Sequence, residues 1–223
     1  MAQAISGFGE TFDCAASVFG RGRCAVNVCS YRPGTLFMEA FLVSTGIVAL
    51  AEMGDKTQLL SLVLAARFRK PWPIVWGILV ATLANHALAG AAGAWVTTLL
   101  GPQVLRWVLA GSFIAMALWM LIPDKLDEGD ADKAVRLGVF GTTVVAFFLA
   151  EMGDKTQIAT VMLAARYNVW APVVAGTTLG MMLANVPVVW LGDRITRLVP
   201  IRVVHIVSAL IFAALGVGAL VWG

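Results

Sequence analysis

The nine residues LAEMGDKTQ occur at Leu50–Gln58 and again, unchanged, at Leu149–Gln157, each time inside a long apolar run. No other feature constrains the fold as strongly. If such a run crosses a bilayer, each charge near its centre costs about 2.5–3.5 kcal/mol even on lenient insertion scales, and here Glu, Asp and Lys stand together twice. Composition settles that the runs do cross. The chain is 60% hydrophobic and 13% charged, against roughly 45–50% and 25% in soluble domains.

Runs long enough to span about 30 Å of hydrocarbon lie at 36–66, 72–100, 104–122, 134–165, 170–191 and 201–222. None shows the apolar/polar alternation of a barrel strand, and lipid leaves only helices as the alternative. The expectation is an all-α integral membrane protein with six transmembrane helices. The net charge of +3 is no nucleic-acid signal, because the basic residues sit in short connections beside the spans, where they report orientation. Nine of them, among them Arg67, Arg69, Lys70, Arg194 and Arg197, fall on one side. Arg106 and Arg166 fall on the other, joined by Arg21, Arg23 and Arg32 ahead of the first span. This places the first, third and fifth loops in the cytoplasm and both termini outside, in a cell inner (plasma) membrane.

Aligned without a gap, Leu50–Phe68 and Leu149–Tyr167 share thirteen of nineteen residues, and LAN recurs at 83–85 and 183–185. The chain is a duplication. Residues 36–122 form the first three-helix repeat and 134–223 the second, joined by an acidic cytoplasmic linker at 123–133. Three spans per repeat is an odd number, so the second repeat must be inverted relative to the first. Inverted repeats are a recurring plan of secondary transporters, whose broken helices build a substrate site near the midplane. Gly54 and Gly153 mark the expected breaks. Residues 1–35, rich in Gly and Ser, read as a disordered tail, and Met38 beside the first span is a candidate native start. Cys14, Cys24 and Cys29 lie in this tail without a metal-site spacing.

Within each motif, Glu52 and Asp55, or Glu151 and Asp154, share a helix face at a spacing of three, with Gln58 or Gln157 three further on. If the repeats bring the motifs together, four carboxylates converge, with Thr57, Thr156 and both glutamines supplying neutral oxygens. Hard divalent cations prefer such ligands. Four carboxylates with Lys56 and Lys155 sum to minus two, which one divalent ion neutralises. Carboxylates crowded in a low-dielectric site cannot all stay ionised without the metal, so protons take its place, and cation/proton exchange follows. The lysines read as counter-charges. Asn85 and Asn185 fit equally as helix–helix hydrogen bonders or as ligands, and His86, without a counterpart in the second repeat, is a supporting candidate.

The duplicated E-x-G-D-[KR]-[ST] pattern at Glu52–Thr57 and Glu151–Thr156 resembles the signature of the Golgi-type manganese/calcium transporters and their bacterial relatives, the manganese exporters. The resemblance covers 38–223. It implies cation/proton antiport with Glu52, Asp55, Glu151 and Asp154 as cation ligands, and the compact size is similar to the bacterial branch. It implies no cofactor, only Mn²⁺ or Ca²⁺ and protons as substrates. Two other classes compete. An intramembrane aspartyl protease would share the Gly-Asp pair but needs two dissimilar aspartate contexts, and this chain has identical ones, so no enzyme is expected. A passive cation channel would need a ring or filter, and Ca²⁺, which takes six to eight oxygens, is the rival cargo.

Overall fold

The computed structural model describes residues 33–121, 137–192 and 201–222. The linker at 123–133 and residues 1–32 of the tail, with their cysteines, lie outside them. Every regular element described is a helix: α1 (Pro33–Glu52), α2 (Lys56–Phe68), α3 (Pro71–Leu99), α4 (Pro102–Trp119), α5 (Gly138–Glu151), α6 (Lys155–Tyr167), α7 (Trp170–Leu191) and α8 (Ile201–Trp222). Helix α1 takes in residues 33–35, which the sequence reading assigned to the tail. Prolines at the first position of α3 and α4 cost no hydrogen bond there and start both helices directly after tight connections.

Among the described residues, five helices are long and apolar enough to cross a membrane, namely α1, α3, α4, α7 and α8. The run at 134–165 is not one helix but two, and α5, at 14 residues, falls short of a crossing by itself. The run at 36–66 is likewise divided between α1 and α2. Both divisions fall inside the repeated motif.

Packing crosses between the repeats. Gly176 and Gly180 of α7 lie so close to α1 that an added Cβ would stand 2.4 Å from the Phe41 carbonyl and 2.6 Å from that of Thr45. A Cβ on Gly77 of α3 would stand 2.6 Å from Thr143 of α5, and further along Asn85 reaches the carbonyl of Phe148. Rising numbers meet rising numbers in both pairs, so α1 runs parallel to α7 and α3 parallel to α5. Small residues allow such backbone approach, on which helix association in lipid depends. Helices α4 and α8 pack on each other through Phe113 and Phe212, with ring centroids 6.3 Å apart.

Among the described residues the apolar core is two clusters. One is drawn chiefly from α1, α4, α6 and α8, with Val173 of α7, the other chiefly from α2, α3 and α5. Ala51 and Ala159 belong to the first, Ala150 and Leu60 to the second, so each motif is flanked by a residue of either cluster. The polar breaks sit where the two cores adjoin.

Candidate functional site

Both nonapeptides fold into the same break. The Asp55 N–H donates to the Glu52 carbonyl at 3.1 Å, and the Asp154 N–H to that of Glu151 at 3.1 Å. Gly54 has φ 85° and Gly153 φ 73°, and Met152 before the latter has φ −63°, ψ 119°. This is a type II turn, whose third residue needs the positive φ that glycine adopts without strain. Asp55 and Asp154 follow in extended conformation and open α2 and α6, and neither caps its helix through its side chain.

Two further motif residues fasten each break. Thr57 Oγ1 donates to Glu52 Oε2, and Thr156 Oγ1 donates to Glu151 Oε2 at 2.8 Å. The Gly54 N–H donates to Gln58 Oε1 at 2.9 Å, and the Gly153 N–H to Gln157 Oε1 at 2.7 Å. The glutamine oxygens expected on a cation are therefore engaged with the turn backbone in this conformation. Gln58 also reaches across to the Ala184 carbonyl of α7 at 3.2 Å.

What remains is carboxylate. Glu52 and Glu151 are fully buried, and Asp55 and Asp154 nearly so. Glu52, Glu151 and Asp154 each offer one oxygen to a group whose atoms all lie within 4.8 Å of one another. Ligands on opposite sides of one ion at about 2.0–2.6 Å stand at most about 5 Å apart, so the group fits a single cation. Asp55 is near enough for its charge to act on Glu151 and Lys56. Lys56 Nζ pairs with Asp154 Oδ1 at 3.0 Å, a bond from one repeat to the other. Lys155 is buried.

The second oxygens matter most. Glu52 Oε1, Glu151 Oε1 and Asp154 Oδ2 are buried with no hydrogen-bond partner among the described residues. Burying one such acceptor costs about 1–3 kcal/mol, and more for a charged one. Three of the same sign in one place are tolerable only when a cation or protons take them up. The C-terminal ends of α1 and α5 also point here, and a helix C-terminus favours positive charge.

The supporting candidates divide. Asn85 Nδ2 donates to the Phe148 carbonyl at 3.0 Å, three residues before Glu151, while its Oδ1 has no partner among the described residues. Asn185 accepts from Ser61 Oγ at 2.8 Å and donates to the Met181 carbonyl of its own helix. His86 is buried with both ring nitrogens unpartnered among the described residues, outside the carboxylate group. Ser61 escaped the sequence reading. Its signal was present, since it lies three residues after Gln58 and so shares its face.

The family model described as "Divalent cation/proton antiporter GDT1" matches residues 40–128 and 139–223. Among curated proteins, one named "Putative manganese exporter" from Vibrio cholerae is 51% identical over 188 residues, covering 84% of this chain and 92% of that protein. GDT1-like protein sll0615 of Synechocystis is 29% identical over 78% of this chain and 93% of its own length. GDT1-like protein 4 of Oryza sativa subsp. indica is 24% identical over 81% and 73%. No solved structure matches the chain significantly.

Proposed function

The chain belongs to the GDT1 family of divalent cation/proton antiporters, a family of transporters and not of enzymes, and from this premise we propose that it exports Mn²⁺ in exchange for protons through the site where its two motifs meet. The observation that carries the proposal is the buried group Glu52, Glu151 and Asp154, contributed by both repeats, with three oxygens that no donor among the described residues satisfies. A site of that charge holds a divalent ion or protons, and competition between the two couples their movements. The metal is cargo rather than cofactor.

The parallel runs of α1 with α7 and of α3 with α5 support a plan of six crossings in two inverted repeats, α1–α2 making the first and α5–α6 the fourth. In that plan the breaks lie near the midplane, where irregular backbone is tolerated because it lines a site. With the basic loops inside and both termini outside, inward proton flow across a plasma membrane drives the metal outward. Two protons per ion is electroneutral, and each further proton adds about 2.3 kcal/mol per 100 mV of membrane potential. The name carried by the Vibrio relative favours manganese as cargo.

The test uses inside-out vesicles whose lumen is acidified and reports its pH by fluorescence. Adding Mn²⁺ outside is expected to make the lumen more alkaline, and Glu52→Gln or Asp154→Asn to abolish the response. Entry of Mn²⁺ without proton movement would identify a channel instead. A stronger response to Ca²⁺ than to Mn²⁺ would identify calcium as the cargo.

A further inference from the structure

The two motif lysines, identical in sequence, occupy different situations. Lys155 is 2% exposed. Lys56 keeps 24% of its side-chain surface exposed while its Nζ sits 3.0 Å from Asp154 Oδ1, on one of the three carboxylates of the cation group. Lys56 is also the first residue of α2, where a positive charge opposes the helix macrodipole. Helix stability therefore does not explain a lysine there, whereas the carboxylate across the repeat boundary does.

We infer that Lys56 is a tethered competitor of the cargo: its ammonium holds Asp154 when no metal is bound, leaves when the metal arrives, and returns to expel it. The inference rests on the transport reading above and concerns how that site is regulated. A divalent ion bound to Asp154 at about 2.0–2.6 Å would lie only a few ångströms from the ammonium. At that range the repulsion between a double and a single positive charge outweighs anything a surface ion pair supplies. Both cannot stay. Lys56 has somewhere to go, because part of its side chain already lies outside the packed protein, and a four-carbon stem lets the charge swing away. Lys155, buried at its position, lacks that route. No proton need leave the lysine in this exchange; it remains a cation throughout and gives up one partner.

The experiment measures equilibrium Mn²⁺ binding to the purified full-length chain and maximal transport in proteoliposomes. Lys56→Gln is expected to bind Mn²⁺ about tenfold more tightly or better, since the competing charge is gone, and to turn over more slowly, since release has lost its driver. Lys56→Arg, which keeps the charge, should bind closer to wild type than to Lys56→Gln, and Lys155→Gln should not tighten binding. Unchanged or weakened binding in Lys56→Gln overturns the inference, and Lys56→Met repeats the reading if the glutamine variant is not monodisperse. A second measurement needs no variant: Mn²⁺ should increase the rate at which Lys56 of the wild-type chain is acylated, read by peptide mass spectrometry. Slowed or unchanged acylation would count against displacement. Wild-type protein that binds neither Mn²⁺ nor Ca²⁺ would instead overturn the transport reading itself.

Discussion

In the first motif Gln58 is buried and bonded both to the turn and to α7, and Lys56 reaches across to Asp154. In the second, Gln157 is only partly buried, Met152 is 57% exposed, and Lys155 is enclosed. Yet the two breaks share their turn, their threonine-to-glutamate bond and their glycine-to-glutamine bond. Identical residues fix the local geometry of both, and the surroundings then assign different tasks. The carboxylate group shows the same division, taking one residue from the first motif and two from the second.

The largest effects should come from the carboxylates. Glu52→Gln and Glu151→Gln are each expected to lower Mn²⁺ transport by about 100-fold or more, since losing even an outer partner of a metal ligand costs 10–100-fold. Asp154→Asn should match them. Asp55→Asn should cost about tenfold less than Asp154→Asn, because it stands outside the group of three. Initial rates in proteoliposomes measure all four. Equal losses from the two aspartates would break the comparison and point to repeats that exchange conformations during the cycle.

Next come the glycines that admit neighbouring helices. At Gly176 an added Cβ meets the Phe41 carbonyl at 2.4 Å, and at Gly77, its counterpart, it meets Thr143 Cβ at 2.6 Å. Neither atom can rotate away, since a Cβ is as fixed to its backbone as a carbonyl. Gly176→Ala and Gly77→Ala are therefore each expected to destabilise by about 1–3 kcal/mol, read as thermal unfolding in detergent. A clear difference between them would mean that one of the α1–α7 and α3–α5 contacts yields more easily than the other.

The breaks themselves should respond alike. Gly153 has open space around its missing Cβ, so Gly153→Ala is opposed by its positive φ alone, at a cost of about 1–2 kcal/mol. Gly54, with φ 85° in the same turn, should cost about the same in the same assay. A difference above about 1 kcal/mol between them would show that local conformation is not what the two copies share.

These positions also mark how far the sequence could be read. The duplication, the helical spans and the two breaks were legible, because repeated charged residues in apolar runs and a glycine among them are local signals. That Gln58 and Gln157 would serve the turn was not, since counting oxygens does not reveal which backbone N–H groups a type II turn leaves over. The pairing of Lys56 with Asp154 lay further out of reach. It joins residues almost a hundred apart, and identical motifs give no sign of which lysine crosses. The division of α5 from α6 was foreseen as a kink, but not that it would leave α5 too short to cross alone.

The smallest expected effect lies at the ends of the broken helices, where the repeats differ in sequence as well as in surroundings. Tyr167 at the end of α6 donates its hydroxyl to Glu39 Oε1 of α1 at 3.3 Å, beside a small cavity of about 70 Å³ that Arg166 also lines. The corresponding residues of the other repeat are Phe68 and Gly138, which cannot form such a bond. One end of the molecule is thus fastened by this polar contact between repeats, which the corresponding residues at the other end do not make. Tyr167→Phe makes the two ends alike. At 3.3 Å and only partly buried, the bond is weak, so its loss should lower stability by about 0.5 kcal/mol, the low end for a hydrogen bond. Transport should respond through the rate of opening at that end rather than through Mn²⁺ affinity, because Glu39 precedes Glu52 by thirteen residues, about 20 Å along a helix. A thiol at Val43, beside the same cavity, reports this directly in a chain freed of its three native cysteines. Its labelling by a membrane-impermeant maleimide should quicken several-fold in Tyr167→Phe. Unchanged labelling with unchanged transport would show that the contact is only packing, and that the two ends open equally well without it.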